Sequence, residues 1–252
     1  MALVHYEGKL GEFDYDDEVF EISVKDRLRL REDYKGPIDL PHGCVSCVSL
    51  FEGRDLTGCS LRDFDTSTVV DMGGMFLGCK LPDSFALGDK FDTSRVTNMA
   101  SMFRACELPK GFTLGDKFDT SNVINMASMF NGCTFPEGFT LGDKFDTSNV
   151  ENMGHMFFEC IFNEDFILGS KFDTSKVTKM TSMFIKAKLP SGFKGLVSFS
   201  EIIKTLKRGR DTFDCVEYLK GLFGAQYSYL PQASVINCET KEDCDELYRR
   251  FI

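Results

Sequence analysis

In the middle of the chain the apolar residues fall into one recurring pattern. From Val96 to Cys106 they are Val96, Met99, Met102, Phe103 and Cys106, with polar or small residues at every position between. That spacing is one stripe of a helix, so it predicts a helix of about three turns. Asp92, Thr93 and Ser94 precede the stripe and are side chains that cap free N–H groups at a helix start. The residues that follow read as a strand. Phe112 and Leu114 share a face by two-residue alternation, Pro109 and Gly111 mark the preceding turn, and Gly115 marks a bulge or bend.

The whole string recurs. The pattern F-D-T-S-x-V-x-x-M-x-x-M-F-x-x-C, followed by x-x-P-x-x-F-x-L-G-x-K, begins at Phe64, Phe91, Phe118, Phe145 and Phe172, in steps of 27 residues. A degenerate copy lies earlier, with Cys44, Cys47 and Phe51 aligned on Val69, Met72 and Phe76. A fixed period of this length is the signature of stacked repeats. The expected fold class is therefore α/β, a right-handed solenoid of about six coils, each a short strand, a tight turn and a short helix. Stacked strands would run parallel, about 4.8 Å apart.

Three regions follow. Residues 1–43 carry no copy of the repeat. Phe20, Ile22 and Val24 alternate, as do Leu28 and Leu30 with Arg27, Arg29 and Arg31 between and around them. Two or three short antiparallel strands are expected there, covering the exposed end of the first coil. The run Gly36–Pro41 holds two prolines and a glycine and reads as the linker into the array. Residues 44–195 form the array. Residues 196–252 read as a small α+β cap or module, with helical stretches over 200–222, a strand at 233–238 and a final helix after Thr240.

The words FDTSNV and NMxxMF followed by Cys, best seen at Phe118–Cys133, resemble the repeat of BspA-like bacterial leucine-rich-repeat surface proteins. A repeat of unknown function in mycoplasma-type lipoproteins is similar. The resemblance covers residues 64–193 well and 44–63 weakly, and neither end region. It implies a leucine-rich-repeat-like solenoid that binds proteins, and it carries no catalytic residues onto this chain.

Charge sharpens the picture. The net charge of −10 is concentrated at the N-terminus, where residues 1–63 hold 14 acids against 8 bases. Such a field disfavours direct nucleic-acid or anionic-membrane binding and permits a basic protein partner. Asp14, Asp16, Asp17 and Glu18 are the candidate contacts of that acidic region. His155 interrupts a column of small residues (Gly74, Ser101, Ser128, Ser182) and is a second candidate. Tyr227 and Tyr229, in an aromatic stretch beside Leu230, are the third. The basic cluster Lys204, Lys207, Arg208 and Arg210 reads as a solvated helix end.

Ten cysteines are present. No basic stretch followed by an apolar one opens the chain, which predicts no secretory signal, a cytoplasmic protein and reduced thiols. Cys79, Cys106, Cys133 and Cys160 form a column that reads as packing, with Ala187 in their place in the last copy. Cys44-x-x-Cys47 reads as core filler, with zinc or redox chemistry as the alternative. The trio Cys215, Cys238 and Cys244 lacks a clear fourth ligand. Recurrent Asp92, Asp119, Asp146 and Asp173 read as caps, with calcium as the alternative, and Asn98, Asn125 and Asn152 as a hydrogen-bonded ladder. No nucleophile elbow, phosphate loop or dinucleotide fingerprint occurs. No metal or cofactor is expected.

The expected function is a non-catalytic protein-binding scaffold. Within that class the acidic region favours an intracellular inhibitor or adaptor, phage-encoded or carried on a mobile element, directed at a nucleic-acid-handling protein such as a defence nuclease. A surface adhesin and an enzyme housed in the C-terminal module are the alternatives.

Overall fold

The computed structural model of the chain describes residues 2–6, 9–13, 18–22, 27–179, 183–184, 186–188, 190 and 245. The expected module over 196–252 therefore lies outside the described residues, Asp245 apart, as do Asp14, Asp16, Asp17, Tyr227 and Tyr229.

The N-terminal region holds two antiparallel pairs. β1 (Ala2–Tyr6) pairs with β2 (Lys9–Phe13), an element the sequence reading left unassigned. β3 (Phe20–Ile22) pairs with β4 (Leu28–Leu30), as the alternation predicts. Phe20, Leu28 and Leu30 are buried in the same core as the repeats. The first coil is closed by hydrogen bonds: Leu30 N–H donates to Leu50 O at 2.9 Å, and Arg54 Nε donates to Leu30 O at 2.8 Å. Arg54 also pairs with Glu21 at 2.7 Å.

The expected linker is part of the stack. β5 (Gly36–Pro37) pairs in parallel with β6 (Cys59–Ser60), and Ile38 is fully buried. A proline tolerates this place because its missing N–H costs nothing at an edge.

From there the coils stack in sequence register. Parallel bridges join Ser46 to Asp71, Asp71 to Asn98, Asn98 to Asn125, Asn125 to Asn152 and Asn152 to Lys179. A second set joins Glu107, Thr134, Ile161 and Lys188. Ser46 to Asp71 spans 25 residues, and every other step in the two sets is the 27-residue period of the sequence. Phe51, Phe76, Phe103, Phe130, Phe157 and Phe184 form one column of rings, with successive centroids 5.2, 5.3, 5.8, 5.8 and 5.3 Å apart.

The backbone within a coil differs from the expectation. None of the described residues between 44 and 190 is helical. The stripe residues close successive turns: Val96 N–H bonds to Thr93 O, Met102 N–H to Met99 O, and Cys106 N–H to Phe103 O. The third residue of the latter two turns has a positive φ, 59° at Ser101 and 58° at Ala105. A turn sends its first and fourth residues to the same side, so a chain of turns buries a three-residue spacing as a helix would. The predicted strand at Phe112–Phe118 is also absent. Parallel pairing lies instead on the half read as helical, where Met99, Ser101, Phe103 and Ala105 donate N–H to Asn125, Ala127, Met129 and Asn131 of the next coil.

Polar residues inside the coil are satisfied. Asp65, Asp92, Asp119, Asp146 and Asp173 each accept, through Oδ1, the N–H two residues on. They are caps of turns where helix caps were predicted, by the same chemistry. The threonine that follows each is buried, and Thr120 Oγ1 both donates to Asp146 O at 2.7 Å and accepts from Asp146 N–H at 2.8 Å.

Candidate partner-binding face

The bridged half of each coil presents a flat outer surface, because its turns place small residues outward. Asn98 and Asn125 cap their own turns by accepting the N–H of Ala100 and Ala127. Asn98 Nδ2 also donates to Asp71 Oδ1 of the preceding coil at 2.9 Å, a bond outside the expected Asn98–Asn125–Asn152 ladder, whose members are joined by main-chain bridges. Beyond them stand the left-handed positions Gly74, Ser101, Ser128 and His155, with φ between 57° and 63°. The outward positions that follow are Arg104, Ala105 and Glu107 in the coil beginning at Phe91, and Asn131, Gly132 and Thr134 in the coil beginning at Phe118.

The face changes in the coil beginning at Phe145. His155 replaces Ser128, Phe158 replaces Asn131, Glu159 replaces Gly132 and Ile161 replaces Thr134. His155 is exposed, and its ring meets Phe158 edge-on at 5.6 Å. The Lys186 ammonium of the next coil lies 5.6 Å from the Phe158 ring centre and pairs with Glu159 at 2.7 Å. Ile161 is 41% exposed, beside Lys188 across the bridge. His155, Glu159 and Lys186 keep left-handed backbones at 57°, 56° and 59°, a conformation that costs a non-glycine residue about 1–2 kcal/mol.

The core of the same coil is unchanged. Val150, Met153, Met156, Phe157 and Cys160 are fully buried, like their counterparts. The departures are confined to the surface, and only His155 among them was singled out from sequence. Comparing the outward columns copy by copy also finds Glu159, which stands where earlier copies have Gly78, Ala105 and Gly132, but not Phe158 or Ile161, whose columns differ in every copy. Glu18, the one described member of the acidic cluster, is exposed.

On the other half of the coil lies a groove of about 560 Å³, lined by Leu114, Gly115 and Asp116 and by Leu141, Gly142 and Asp143. A smaller one follows beside Ile167, which is 64% exposed. Rings on this side are further apart, 5.9 and 6.3 Å for Phe85–Phe112–Phe139, so the bridged half is the tighter one.

The cysteine column has a structural task. Cys79, Cys106, Cys133 and Cys160 donate S–H to the carbonyls of Phe51, Phe76, Phe103 and Phe130 at 2.8–2.9 Å. Burial pushes the thiol of Cys106 up to about 11 and that of Cys160 up to about 12. Among the described residues no three His, Cys, Asp or Glu side chains converge as a ligand set. His42 and His155 are both exposed, in separate coils. Among the described residues no helix is long and apolar enough to cross a membrane.

A family profile described as a Mycoplasma protein of unknown function, DUF285, matches residues 45–135 and 110–199. No curated protein and no solved structure matches the chain.

Proposed function

The chain belongs to the DUF285 family across its repeat array, and on that premise we propose that it is a non-catalytic protein-binding scaffold. The array is read as a right-handed, leucine-rich-repeat-like solenoid related to the BspA-like proteins, with the bridged face as its binding surface. One observation carries this reading. The coil beginning at Phe145 sets His155, Phe158, Glu159 and Ile161 on its outer surface, with the His155 ring edge-on to Phe158 and Lys186 over it, while its core columns continue. Partly exposed aromatic and aliphatic side chains ringed by charge are what protein interfaces concentrate at their centres.

Within that class the reading is an intracellular inhibitor or adaptor. Its support is the acidity of residues 1–63, 14 acids against 8 bases, which matches a basic partner such as a nucleic-acid-handling protein. The test uses a variant that restores the preceding coil, His155→Ser, Phe158→Asn and Ile161→Thr together. A partner captured by the full chain from nuclease-treated lysate is purified, and its affinity is measured against both chains. A loss of at least about tenfold is expected. Equal affinities would reject this face. Lys substitutions at Asp14, Asp16, Asp17 and Glu18 test the acidic region separately, through the salt dependence of the same affinity.

A further inference from the structure

The charge of the array changes sign between its last two coils. Residues 145–171 hold five acids and one base, whereas residues 172–190 hold one acid and four bases. Three of those four bases, Lys179, Lys186 and Lys188, belong to the bridged half of the coil, and all three are exposed. Lys179 stands across a bridge from Asn152, and Lys188 across a bridge from Ile161, at the two margins of the face. Lys186 lies between them in sequence, over the Phe158 ring. The Lys179 column holds Asp71, Asn98, Asn125 and Asn152 in earlier copies, and the Lys186 column holds Gly78, Ala105, Gly132 and Glu159.

The array itself shows what a lysine at these places takes. Lys80 occupies the same column as Lys188. The residue across its bridge is Asp55, whose carboxylate lies 2.8 Å from the ammonium. Lys186 is met in the same way by Glu159 of the preceding coil at 2.7 Å. Lys188 and Lys179 face Ile161 and Asn152 instead, so neither ammonium has a carboxylate partner among the described residues. Two unmatched cations therefore border a face that carries the half-buried Phe158 and the exposed Ile161.

We propose that this end of the bridged face docks an acidic peptide segment of a protein partner, with an apolar side chain against Phe158 and Ile161 and carboxylates on Lys179 and Lys188. The proposal rests on the reading of the bridged face as a binding surface and adds the chemistry of what that surface takes. Each carboxylate of the segment would stand to its lysine as Asp55 stands to Lys80.

The occupant is a peptide because the positive field is short. Glu151 and Glu159 are both exposed in the preceding coil. A nucleic acid or an anionic bilayer, whose charge continues along its surface, meets those carboxylates as soon as it extends beyond one coil. A peptide places its charges at separate points and carries an apolar group between them. Exposed ion pairs add little to affinity, but they steer encounter and fix register. The contact with Phe158 and Ile161 supplies the apolar burial, and the two lysines select which segment lies there.

A random peptide library displayed on phage is selected on the immobilised full chain. The enriched peptides are expected to carry Asp or Glu on both sides of an apolar residue. One of them, synthesised with a fluorophore, then serves as the probe. Its affinity should fall about five- to tenfold when Lys179→Asn and Lys188→Thr are combined, since two exposed pairs are removed. It should also weaken as salt rises from about 0.05 to 0.3 M. Both substitutions install residues of earlier copies, Asn152 and Thr134, and circular dichroism should show the fold unchanged. Ile161→Asp gives Lys188 the partner that Asp55 gives Lys80, so it should weaken the probe more than Ile161→Asn does. Acidic peptides indifferent to the two lysine substitutions, equal effects of the two Ile161 variants, or tighter binding of oligothymidylate or phosphatidylserine vesicles than of the probe would each overturn the proposal. Enriched peptides without acidic residues that still lose binding in the His155→Ser, Phe158→Asn, Ile161→Thr variant would overturn the acidic specificity and leave the face as a binding surface. No enrichment would overturn the peptide proposal alone, because the partner captured from lysate tests the face separately.

Discussion

Single side chains hold this array together by closing main-chain groups one coil away. Thr120 is fully buried and serves both the N–H and the carbonyl of Asp146. Thr120→Val keeps the shape, removes the hydroxyl donor to the Asp146 carbonyl and leaves the Asp146 N–H only its bond to Lys144 O at 2.9 Å, so it should lower stability by about 1–3 kcal/mol. Thr120→Ser, which keeps the hydroxyl, should lose less; urea unfolding of the two variants checks the order. The column thiols predict a pH response. Below about pH 9 the folded and unfolded chains both hold these protons. Above it the unfolded chain releases protons that Cys106 and Cys160 keep until about 11 and about 12. Stability should therefore fall in that window, by about 1.4 kcal/mol per pH unit for each such thiol. Cys160→Ala, the residue found as Ala187 in the last copy, should give a shallower fall in urea midpoints between pH 9 and 11.

At the scale of the element, turns rule where a helix was predicted. Val96, Met99, Met102, Phe103 and Cys106 point inward as the pattern requires, and their inward positions were legible. The backbone that puts them there was not, because spacings of three and four suit a helix and successive turns equally. The left-handed residues were the available signal. Gly74, Gly78 and Gly132 stand where Ser101, Ala105 and Glu159 stand in other copies, and a glycine recurring at fixed places inside a helical stripe argues against a helix. Close approach matters at one glycine. A Cβ on Gly88, with φ 73°, would sit 2.5 Å from Leu61 O, whereas at Gly115, φ 80°, nothing lies within 4 Å. Gly115→Ala should cost only the backbone strain, about 1 kcal/mol. Gly88→Ala should cost that and an overpacking penalty of about 1–3 kcal/mol more, read from the difference between their denaturation midpoints.

At the scale of the molecule, each coil contacts its neighbours through bonds that repeat with the sequence. Stability should then be a sum over coils and their interfaces. Removing residues 118–144, one full period, joins Lys117 to Phe145 and brings Phe103 under Phe157 in the ring column. That chain should fold cooperatively with a lower urea midpoint. Removing one residue fewer displaces every later column by one position and should abolish the cooperative transition. The two deletions, compared by circular dichroism during urea unfolding, test the register directly.

The amino-acid sequence by itself determined the period, the inward columns, the capping aspartates and the acidic N-terminal region, because each is a local pattern written once per copy. It also pointed to His155, since one outlier in a column needs no coordinates to be seen. The tertiary structure alone decided which half of the coil pairs in parallel, that Gly36–Pro37 belongs to the stack, and that His155 and Lys186 both meet the Phe158 ring. The physical reason lies in the distance over which the bonds act. Met99 N–H finds its acceptor at Asn125, and Cys133 S–H finds its own at Phe103. A main-chain donor that can bond within its own turn or across to the next coil carries no local mark of the choice, which is made only when the coils stack.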